Sequence, residues 1–499
     1  MNVTVAKGSL MKAQSEVLVL PVYSLTNDEK SLAKLPEAHQ RLAQKMAKAQ
    51  EFTGAVGQSL LLPAVQDSGA DALLLVGFGE RRSKDLTNAV RECAGVAVSL
   101  ARKMGLRTVA VDFSGKEFKE DAVEAFVQAA DAANYSFTVF KKKMEDRKVA
   151  QIDLLVADGK VLPKFRKAIE RAFIVAEGVA LARDLVNMPG QDMTPTRLAE
   201  AAQQVADASG GVITVTILDK DECAKRGMGA YLAVAQGADE PPKFIHLTYT
   251  SPRPTKRSLA VIGKGVTFDS GGLSLKPADS MMTMKCDMAG AAAVIGLFCA
   301  LARLKPRLNV HGVIAATENM PSGKAIRPGD IVRSASGKTI EILNTDAEGR
   351  LTLADALHYV QEEVKPEAIV DLATLTGACM VALGEEIAGL MTNTPALSKT
   401  MLKSAELAGE KMWEMPLEKR YRSLIISDVA DLRNIATSRY GGTLTAGLFV
   451  QEFVNADMPW AHLDIAGPAF AERPMSSYLG KGGTGFGVKT LVEWLKAIE

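Results

Sequence analysis

The sequence predicts an α/β protein with two domains, each a mostly parallel sheet flanked by helices, joined by a long helix. At 499 residues the chain exceeds the size at which one hydrophobic core keeps growing, so at least two domains are expected. Short runs of Leu and β-branched residues alternate with amphipathic helical stretches, which is typical of parallel sheets covered by helices. Pro163 and Pro189 bound one long polar–apolar stretch, as prolines do at the limits of a helix.

The first domain is expected to span residues 1–162, and the connecting helix residues 163–187. Two amphipathic stretches of the first domain, AHQRLAQKMAKAQ and LTNAVRECAGVAVSLARKMG, predict helices. Strands are predicted where apolar and β-branched residues form short runs, namely EVLVLPVY, ALLLVGFGE, TVAVDFS and QIDLLVADG.

The second domain, residues 188–499, begins with a helix at MTPTRLAEAAQQVADAS. Thr194 is placed to cap this helix, and Pro195 to occupy its first turn. The later strand candidates are interleaved with helices, so a second α/β sheet is expected. These candidates are VTVTILD, FIHLTYT, SLAVIGKG, NVHGVIAAT, AIVDLATLT and WAHLDIAG.

Composition excludes several classes of protein. The net charge of +1, from 59 basic and 58 acidic residues, gives no global electrostatic preference for nucleic acid or for membranes. Five scattered cysteines without a C-x-x-C pair argue against a disulfide framework and against a thiolate zinc site. The longest apolar run, AGAAAVIGLFCALARL, is too short to span a bilayer, and the first residues lack a secretory signal pattern. A cytoplasmic protein without a membrane partner is therefore expected.

Four stretches of the second domain place acids or lysines in apolar, glycine-rich surroundings. Charged groups that face a core are costly unless they are paired or bound to a metal, so these stretches are candidates for a site. They are VIGKGVTFDSGGLSLKP, MKCDMAGAAAV, NTDAEGR and WAHLDIAG.

The first two stretches each allow a structural interpretation. Lys264 and Asp269 follow a strand, where ligands of open α/β sheets bind, but they could equally form an ion pair on a flexible turn. Asp287 precedes a helix of small residues and could be an N-cap that contributes about 1 kcal/mol. Both alternatives stay open at this point.

The stretch NTDAEGR places Asp346, Glu348 and Arg350 on alternate positions between an extended run and a helical one. One of the two acids could cap the following helix and pair with Arg350, but this leaves the second acid without a structural role. If the turn stays extended, the three side chains point to one side. Two carboxylates so close repel each other unless a cation lies between them.

Together the stretches contain four carboxylates, those of Asp269, Asp287, Asp346 and Glu348. Two divalent cations would neutralise this set. Oxygen-rich ligation suits Mn, Zn or Mg, and bridging carboxylates suit a pair of ions.

The motifs GKGVTFDSGGLSLKP, MKCDMAGAAAV, NTDAEGRLTLADAL, ATLTGA and WAHLDIAG, in this order and spacing, resemble those of the leucine aminopeptidase (cytosol aminopeptidase) family. The resemblance covers residues 165–499, and the first domain resembles the family only in its α/β pattern. It implies a metal-dependent exopeptidase that releases N-terminal residues, preferably Leu and other apolar ones, from peptide substrates. It also implies a homohexamer.

The resemblance also implies a ligand set, position by position. Asp269 and Glu348 would bridge two metals, and Asp346 would complete the looser site. Lys264 and Asp287 would complete the tighter site, with Lys264 as a neutral amine. Burial and two adjacent cations both disfavour the ammonium form of that lysine, so this ligation is physically permitted.

For catalysis the resemblance implies a water between the metals as the attacking group, with Lys276 stabilising the developing oxyanion. Arg350 would hold a bicarbonate ion as general base, with help from the backbone near Leu375. The residues implied for the pocket of the first substrate side chain are Met284, Thr374, Gly377 and Ala466.

Two other functions remain open from the sequence. One is a DNA-binding accessory or regulatory protein on the same fold, because some bacterial relatives in this family combine peptidase and DNA-architectural roles. Its support in the sequence is the basic run KKKMEDRK, residues 141–148, which could instead be a solvated face. A two-metal enzyme that cleaves phosphoesters is the other. His462 and Asp464, two apart on a predicted strand, are expected to form a hydrogen-bonded structural pair.

Overall fold

The structure, a computed structural model, describes residues 1–25, 29–64, 69–81, 85–142 and 147–499. Residues 143–146 of the basic run lie outside this described part. The chain forms two compact units, one of Met1–Ala176 with Arg473–Lys481 and one of Glu177–Glu472 with Gly482–Glu499. The change of unit lies within a helix, and the domain limits predicted at residues 162 and 187 stay a prediction.

The first unit contains a six-stranded sheet in the order β1-β6-β5-β2-β4-β3. All neighbours are parallel except β3 and β4. Apolar clusters cover this sheet, and β4 is buried along its whole length, as expected of a strand with both faces covered. The elements are β1 Asn2–Lys7, β2 Val17–Val22, α1 Glu37–Ala49, β3 Ser59–Pro63, β4 Ala72–Gly77, α2 Leu86–Met104, β5 Thr108–Asp112, α3 Glu120–Asn134, β6 Gln151–Val156 and the start of α4 Leu162–Asn187.

The second unit continues from α4 and holds the larger sheet. Its helix α5 starts as predicted, because the Thr194 hydroxyl accepts the Arg197 N–H at 3.3 Å and Pro195 is the first helical residue. The helices are α5 Pro195–Ala208, α6 Lys220–Lys225, α7 Gly229–Val234, α8 Ala278–Met281, α9 Ala289–Leu304, α10 Gly349–Tyr359, α11 Gly377–Leu383, α12 Pro395–Ala408, α13 Gly442–Gln451 and α14 Val488–Ile498. The strands are β7 Ile213–Leu218, β8 Lys243–Tyr249, β9 Ser258–Asp269, β10 Asn309–Asn319, β11 Ile331–Arg333, β12 Thr339–Glu341, β13 Ile369–Ala373, β14 Ile387–Thr392, β15 Lys411–Glu414, β16 Leu432–Arg433, β17 Trp460–Asp464, β18 Phe470–Ala471 and β19 Gly482–Gly483.

Eight of these strands form one sheet in the order β15-β14-β17-β13-β9-β10-β8-β7. The four central strands, β17, β13, β9 and β10, run parallel, so their carboxyl ends lie along one edge. Antiparallel pairings join β14 to β17 on one side and β8 to β10 and β7 on the other. The predicted α/β class is confirmed, with the parallel part at the centre of the sheet.

The C-terminal helix α14 is held by one buried carboxylate. Glu410 Oε2 accepts the N–H groups of Gly487 and Thr490, each at 3.1 Å, and the Thr490 hydroxyl at 2.6 Å. These donors lie at the start of α14, where backbone N–H groups have no partner within the helix.

Glu410→Ala is expected to destabilise the protein by about 2–4 kcal/mol, because it leaves buried donors without an acceptor. Glu410→Gln keeps one acceptor oxygen and should lose less. Urea unfolding followed by circular dichroism measures both variants, and wild-type midpoints for both would show that the helix start needs no such partner.

Candidate functional site

Polar side chains collect where the central parallel strands end. Strand β9 ends at Asp269, β10 at Asn319 and β17 at Asp464, while Thr374 directly follows β13. Because these strands are parallel, the four residues lie along the same edge of the sheet. This is the edge at which open α/β sheets bind ligands.

Three acids from two of the predicted stretches meet at this edge. Each of Asp269, Asp346 and Glu348 offers a carboxylate oxygen, and these oxygens lie within 4.8 Å of one another. Asp269 and Glu348 are each only 2% exposed. Such proximity between buried acids requires positive charge nearby.

Two lysines supply positive charge among the described side chains. Lys264 Nζ lies 2.7 Å from an Asp287 oxygen and 2.8 Å from Glu348 Oε1. Lys276 Nζ lies 2.8 Å from Asp269 and 2.5 Å from Asp346. Four carboxylates and two ammonium groups therefore form one continuous cluster.

The interpretation of these acids as helix caps is wrong. Asp287 Oδ1 accepts from Lys264 and, at 2.8 Å, from the Thr374 hydroxyl, whereas Met288 is the cap residue of α9. Glu348 is the cap residue of α10, but its side chain makes no capping hydrogen bond. The flexible-turn ion pair between Lys264 and Asp269 is also wrong, because Lys264 lies inside β9 and pairs with Asp287 and Glu348.

The donor set of the cluster fits divalent cations. Asp287 Oδ2, Asp346 Oδ1 and Glu348 Oε1 are buried, and among the described residues each has only a lysine ammonium as partner, at 2.7, 2.5 and 2.8 Å respectively. Buried carboxylate oxygens with spare acceptor capacity are the ligands that Mn, Zn and Mg take. The cluster also retains two negative charges when all six groups are ionised, and cations would neutralise them.

The pKa values of the cluster show how strongly these charges interact. Burial, reinforced by nearby Glu348, raises the pKa of Asp269 to about 6. Burial alone would raise the pKa of Glu348, but Lys264 and Lys276 outweigh it and hold that pKa below its ordinary value. Burial alone would lower the pKa of Lys264, but Asp287 and Glu348 outweigh it and raise that pKa. The neutral amine expected for Lys264 therefore requires cations that compete for these carboxylates.

Gly349 is required by the close approach of Lys264. A methyl group at position 349 would lie 2.5 Å from Lys264 Cε and 2.7 Å from its Nζ. These separations are shorter than any van der Waals contact, and Lys264 is itself enclosed at 3% exposure. The first turn of α10 and the lysine thus depend on the absence of a side chain at this position.

Gly349→Ala is therefore expected to lower kcat/KM for the peptide hydrolysis that the motif resemblance implies by about tenfold to a hundredfold, since a displacement near 1 Å disrupts a preorganised site. The matched control is Gly323→Ala, because a methyl group at Gly323 would meet no atom within 4 Å. Steady-state kinetics on an aminoacyl anilide checks both variants. Equal activity of Gly349→Ala and wild type would contradict the steric argument.

Arg350 lies in the helix rather than in an extended turn. Glu348 has helical dihedral angles, φ −81° and ψ −36°, so the extended turn expected through Asp346, Glu348 and Arg350 is not formed. Arg350 Nη1 donates to the Asn434 carbonyl at 2.6 Å, and its buried Nε has no hydrogen-bond partner among the described residues. Burial lowers the pKa of Arg350 to about 10, which leaves it cationic near neutral pH.

Three of the four residues expected to line the substrate pocket follow the same strand ends, and Met284 lies beyond helix α8. Thr374 touches the cluster directly, since its carbonyl accepts from Lys264 at 3.1 Å. Gly377 begins α11, and Ala466 follows β17 by two residues. Met284 is the first residue of a short 3₁₀ turn, and the Met284 carbonyl accepts the Asp287 N–H at 3.4 Å. The roles of these four residues as pocket walls stay a prediction.

Two polar residues that support the site, Asn319 and Asn434, were not predicted from the sequence, and a third, Asp464, was predicted only to pair with His462. Asn319 donates to Asp269 Oδ1 at 2.8 Å, and Asn434 provides the carbonyl for Arg350. Asp464 accepts hydrogen bonds from the Leu375 and Ala466 N–H groups, each at 3.2 Å. The position of Asn319 and Asp464 at the carboxyl end of a strand was the available signal.

The predicted hydrogen bond between His462 and Asp464 is wrong. His462 Nδ1 instead pairs with Asp371 Oδ1 at 2.5 Å, and Trp460 Nε1 donates to the other Asp371 oxygen at 2.7 Å. His462 and Asp371 are register partners on β17 and β13, so their side chains share one face of the sheet. Cross-strand neighbours are closer than residues two apart on one strand.

Comparison with known protein families decides the assignment. A model of the catalytic domain of the cytosol aminopeptidase family matches residues 180–492, and a model of that family's N-terminal domain matches residues 19–144. The chain belongs to the cytosol aminopeptidase family. This confirms the resemblance that the motifs of the second domain indicated, and it extends to the first domain.

Relatives of the chain support this membership over nearly its whole length. A probable cytosol aminopeptidase of Thermosynechococcus vestitus is 47% identical and covers 92% of this chain and 91% of its own. A probable cytosol aminopeptidase of Persephonella marina is 41% identical, with 99% of both chains covered. The chain is therefore an aminopeptidase, a hydrolase of the exopeptidase class.

Solved structures agree with the fold of this family. A mutant of tomato leucine aminopeptidase matches with a TM-score of 0.87 and 36% identity, covering 99% of this chain and 96% of its own. The bottromycin maturation enzyme BotP in complex with Mn matches with a TM-score of 0.81 and 35% identity, covering 91% and 96%. Among the described residues, none of the helices has the length and apolarity needed to cross a bilayer.

Proposed function

We propose that this cytosol aminopeptidase family member uses two divalent cations to release N-terminal residues, preferably Leu and other apolar ones, from peptides in the cytoplasm. The observation that carries the proposal is the buried cluster of four carboxylates and two lysines at the carboxyl edge of the central parallel strands. Family membership supports the peptidase chemistry. The homohexamer is proposed on the motif resemblance alone.

In this proposal the two cations would be held by the carboxylates of Asp269, Asp287, Asp346 and Glu348 together with the Lys264 amine. Mn or Zn is the proposed metal, with Mg as a further oxygen-seeking candidate. When bound, the cations lower the pKa of water and polarise the substrate carbonyl. The Mn complex of BotP supports manganese as a metal for this ligand set.

Lys276 and Arg350 carry the catalytic roles that belong to the protein itself. Lys276 is an ammonium group held between Asp269 and Asp346, where it can donate to the oxyanion that develops on the substrate carbonyl. Arg350 Nε has no hydrogen-bond partner in the part of the chain that the structure describes, and Arg350 is proposed to hold bicarbonate as general base. Because the Leu375 N–H donates to Asp464, the bicarbonate site is expected to rest mainly on Arg350.

Specificity for chain ends is proposed to follow from the free α-amine of the substrate. In its neutral form this amine would be a ligand for one cation while the substrate carbonyl binds the other. An internal peptide bond has no such amine near its carbonyl. Thr374, Gly377, Ala466 and Met284 are proposed to surround the first side chain.

The proposal is tested with leucine p-nitroanilide and its N-acetyl derivative as substrates. After chelator treatment, restoration of Mn or Zn is expected to restore hydrolysis of the first compound and not of the second, which lacks the free amine. Hydrolysis of both compounds at similar rates, or of neither with any metal, would contradict the proposal.

No observation in the described part of the chain favours the two alternative functions. The basic run that supported DNA binding lies partly outside the described residues, and the net charge is +1. A salt-dependent gel shift with duplex DNA measures this alternative directly. Because the chain belongs to a peptidase family, the hypothesis of a two-metal phosphoesterase is not retained.

A further inference from the structure

Asp464 is a buried carboxylate that joins two separate loops of the site. It is the last residue of β17 and has 0% exposure. Its Oδ1 accepts the N–H groups of Leu375 at 3.2 Å, Thr376 at 3.4 Å and Ala466 at 3.2 Å. Its carboxylate therefore ties the segment that follows β13 to the segment that follows β17.

The second oxygen of Asp464 controls where helix α11 begins. Asp464 Oδ2 accepts the Thr376 hydroxyl at 2.7 Å. The oxygen of that same hydroxyl accepts the Cys379 N–H at 3.0 Å, which caps α11, and lies 3.1 Å from the Thr443 hydroxyl. The position of Gly377, the first residue of α11, thus depends on Asp464 through Thr376.

A carboxylate is well suited to this arrangement. Four donors converge on its two oxygens, and a buried carboxylate is tolerated when hydrogen bonds satisfy it. Asp464 itself forms no contact with the carboxylate–lysine cluster among the hydrogen bonds and ion pairs of the described residues. Besides its charge, which favours the cationic form of Arg350, Asp464 reaches the site through the two loops.

We infer that Asp464 is a positioning residue that sets the pocket for the first side chain of the substrate, by fixing Gly377 and Ala466 relative to each other. The inference rests on the proposed function, because that function assigns Gly377 and Ala466 to the pocket walls. Asp464 then determines selectivity among N-terminal residues without binding metal or substrate.

The test compares wild type, Asp464→Asn and Asp464→Ala with the p-nitroanilides of Leu and Ala. In Asp464→Ala, kcat/KM for the Leu compound should fall by about tenfold to a hundredfold, chiefly through KM, because the pocket wall moves. The Leu-to-Ala selectivity should shrink toward unity. Asp464→Asn keeps an acceptor oxygen for the backbone donors and should recover part of the selectivity. Metal content should equal that of wild type in both variants.

Glu410→Gln is the matched control, since Glu410 is also a buried carboxylate that accepts two N–H groups and a Thr hydroxyl at a helix start. It should lower stability and leave selectivity unchanged. If wild type is active and both Asp464→Asn and Asp464→Ala have a Leu-to-Ala selectivity within twofold of the wild-type value, the inference is overturned. If Asp464→Ala does not fold, Asp464→Asn alone decides by the same criterion. An inactive wild type with Mn and Zn would instead refute the proposed function itself.

Discussion

Glu348→Gln is expected to abolish metal-dependent peptide hydrolysis, with a loss of about 10³-fold or more in kcat/KM. Bound cations supply several kcal/mol of transition-state stabilisation, and each 1.4 kcal/mol is about a factor of ten in rate. Glu348 is 2% exposed and its oxygen lies within 4.8 Å of those of Asp269 and Asp346, so its charge belongs to the same proposed ligand set. The amide is nearly the same shape, which isolates the effect of charge and ligand strength.

The measurement pairs steady-state kinetics on leucine p-nitroanilide with metal content determined by mass spectrometry on the same samples. Glu410→Gln is the control for a buried Glu outside the cluster. Wild-type metal content together with wild-type activity in Glu348→Gln would remove this residue from the ligand set.

Lys276→Met is expected to lower kcat by about 10²–10³-fold, the usual cost of removing one donor to an oxyanion. Metal content should be kept or increased, because the substitution removes the ammonium group that lies 2.8 Å from Asp269 and 2.5 Å from Asp346. Loss of activity with metal retained separates this residue from Glu348.

Kinetics with saturating metal, alongside Lys276→Arg to keep the positive charge, tests this prediction. A rise in KM with unchanged kcat would assign Lys276 to substrate binding alone. Loss of bound metal would instead place Lys276 among the groups that assemble the cluster.

Much of the fold could be predicted because its central strands are strongly apolar and several helices, α1, α2, α5 and α14 among them, are amphipathic. The central strands β9, β10, β13 and β17 each coincide with a predicted run. Strand β3 did not give such a signal, because it lies at the edge of its sheet and alternates between buried and exposed residues over a short span. The pairing order of the eight-stranded sheet depends on long-range contacts that no local pattern contains.

The residues of the candidate site could be predicted from the sequence, but the contacts between their side chains could not. Buried charge marked the four stretches, but whether Asp287 caps a helix or joins the cluster depends on Lys264 and Thr374, which are distant in sequence. The supporting residues Asn319 and Asp464 resemble ordinary polar residues at strand ends. Their importance follows only from the parallel sheet, which aligns those ends.

A two-metal aminopeptidase can be tested by titrating chelator-treated protein with Mn while counting bound metal and measuring leucine p-nitroanilide hydrolysis in the same samples. We expect two ions bound per chain at saturation, with full activity reached only as the second ion binds. Full activity with one ion or none, or two bound ions without activity, would contradict it.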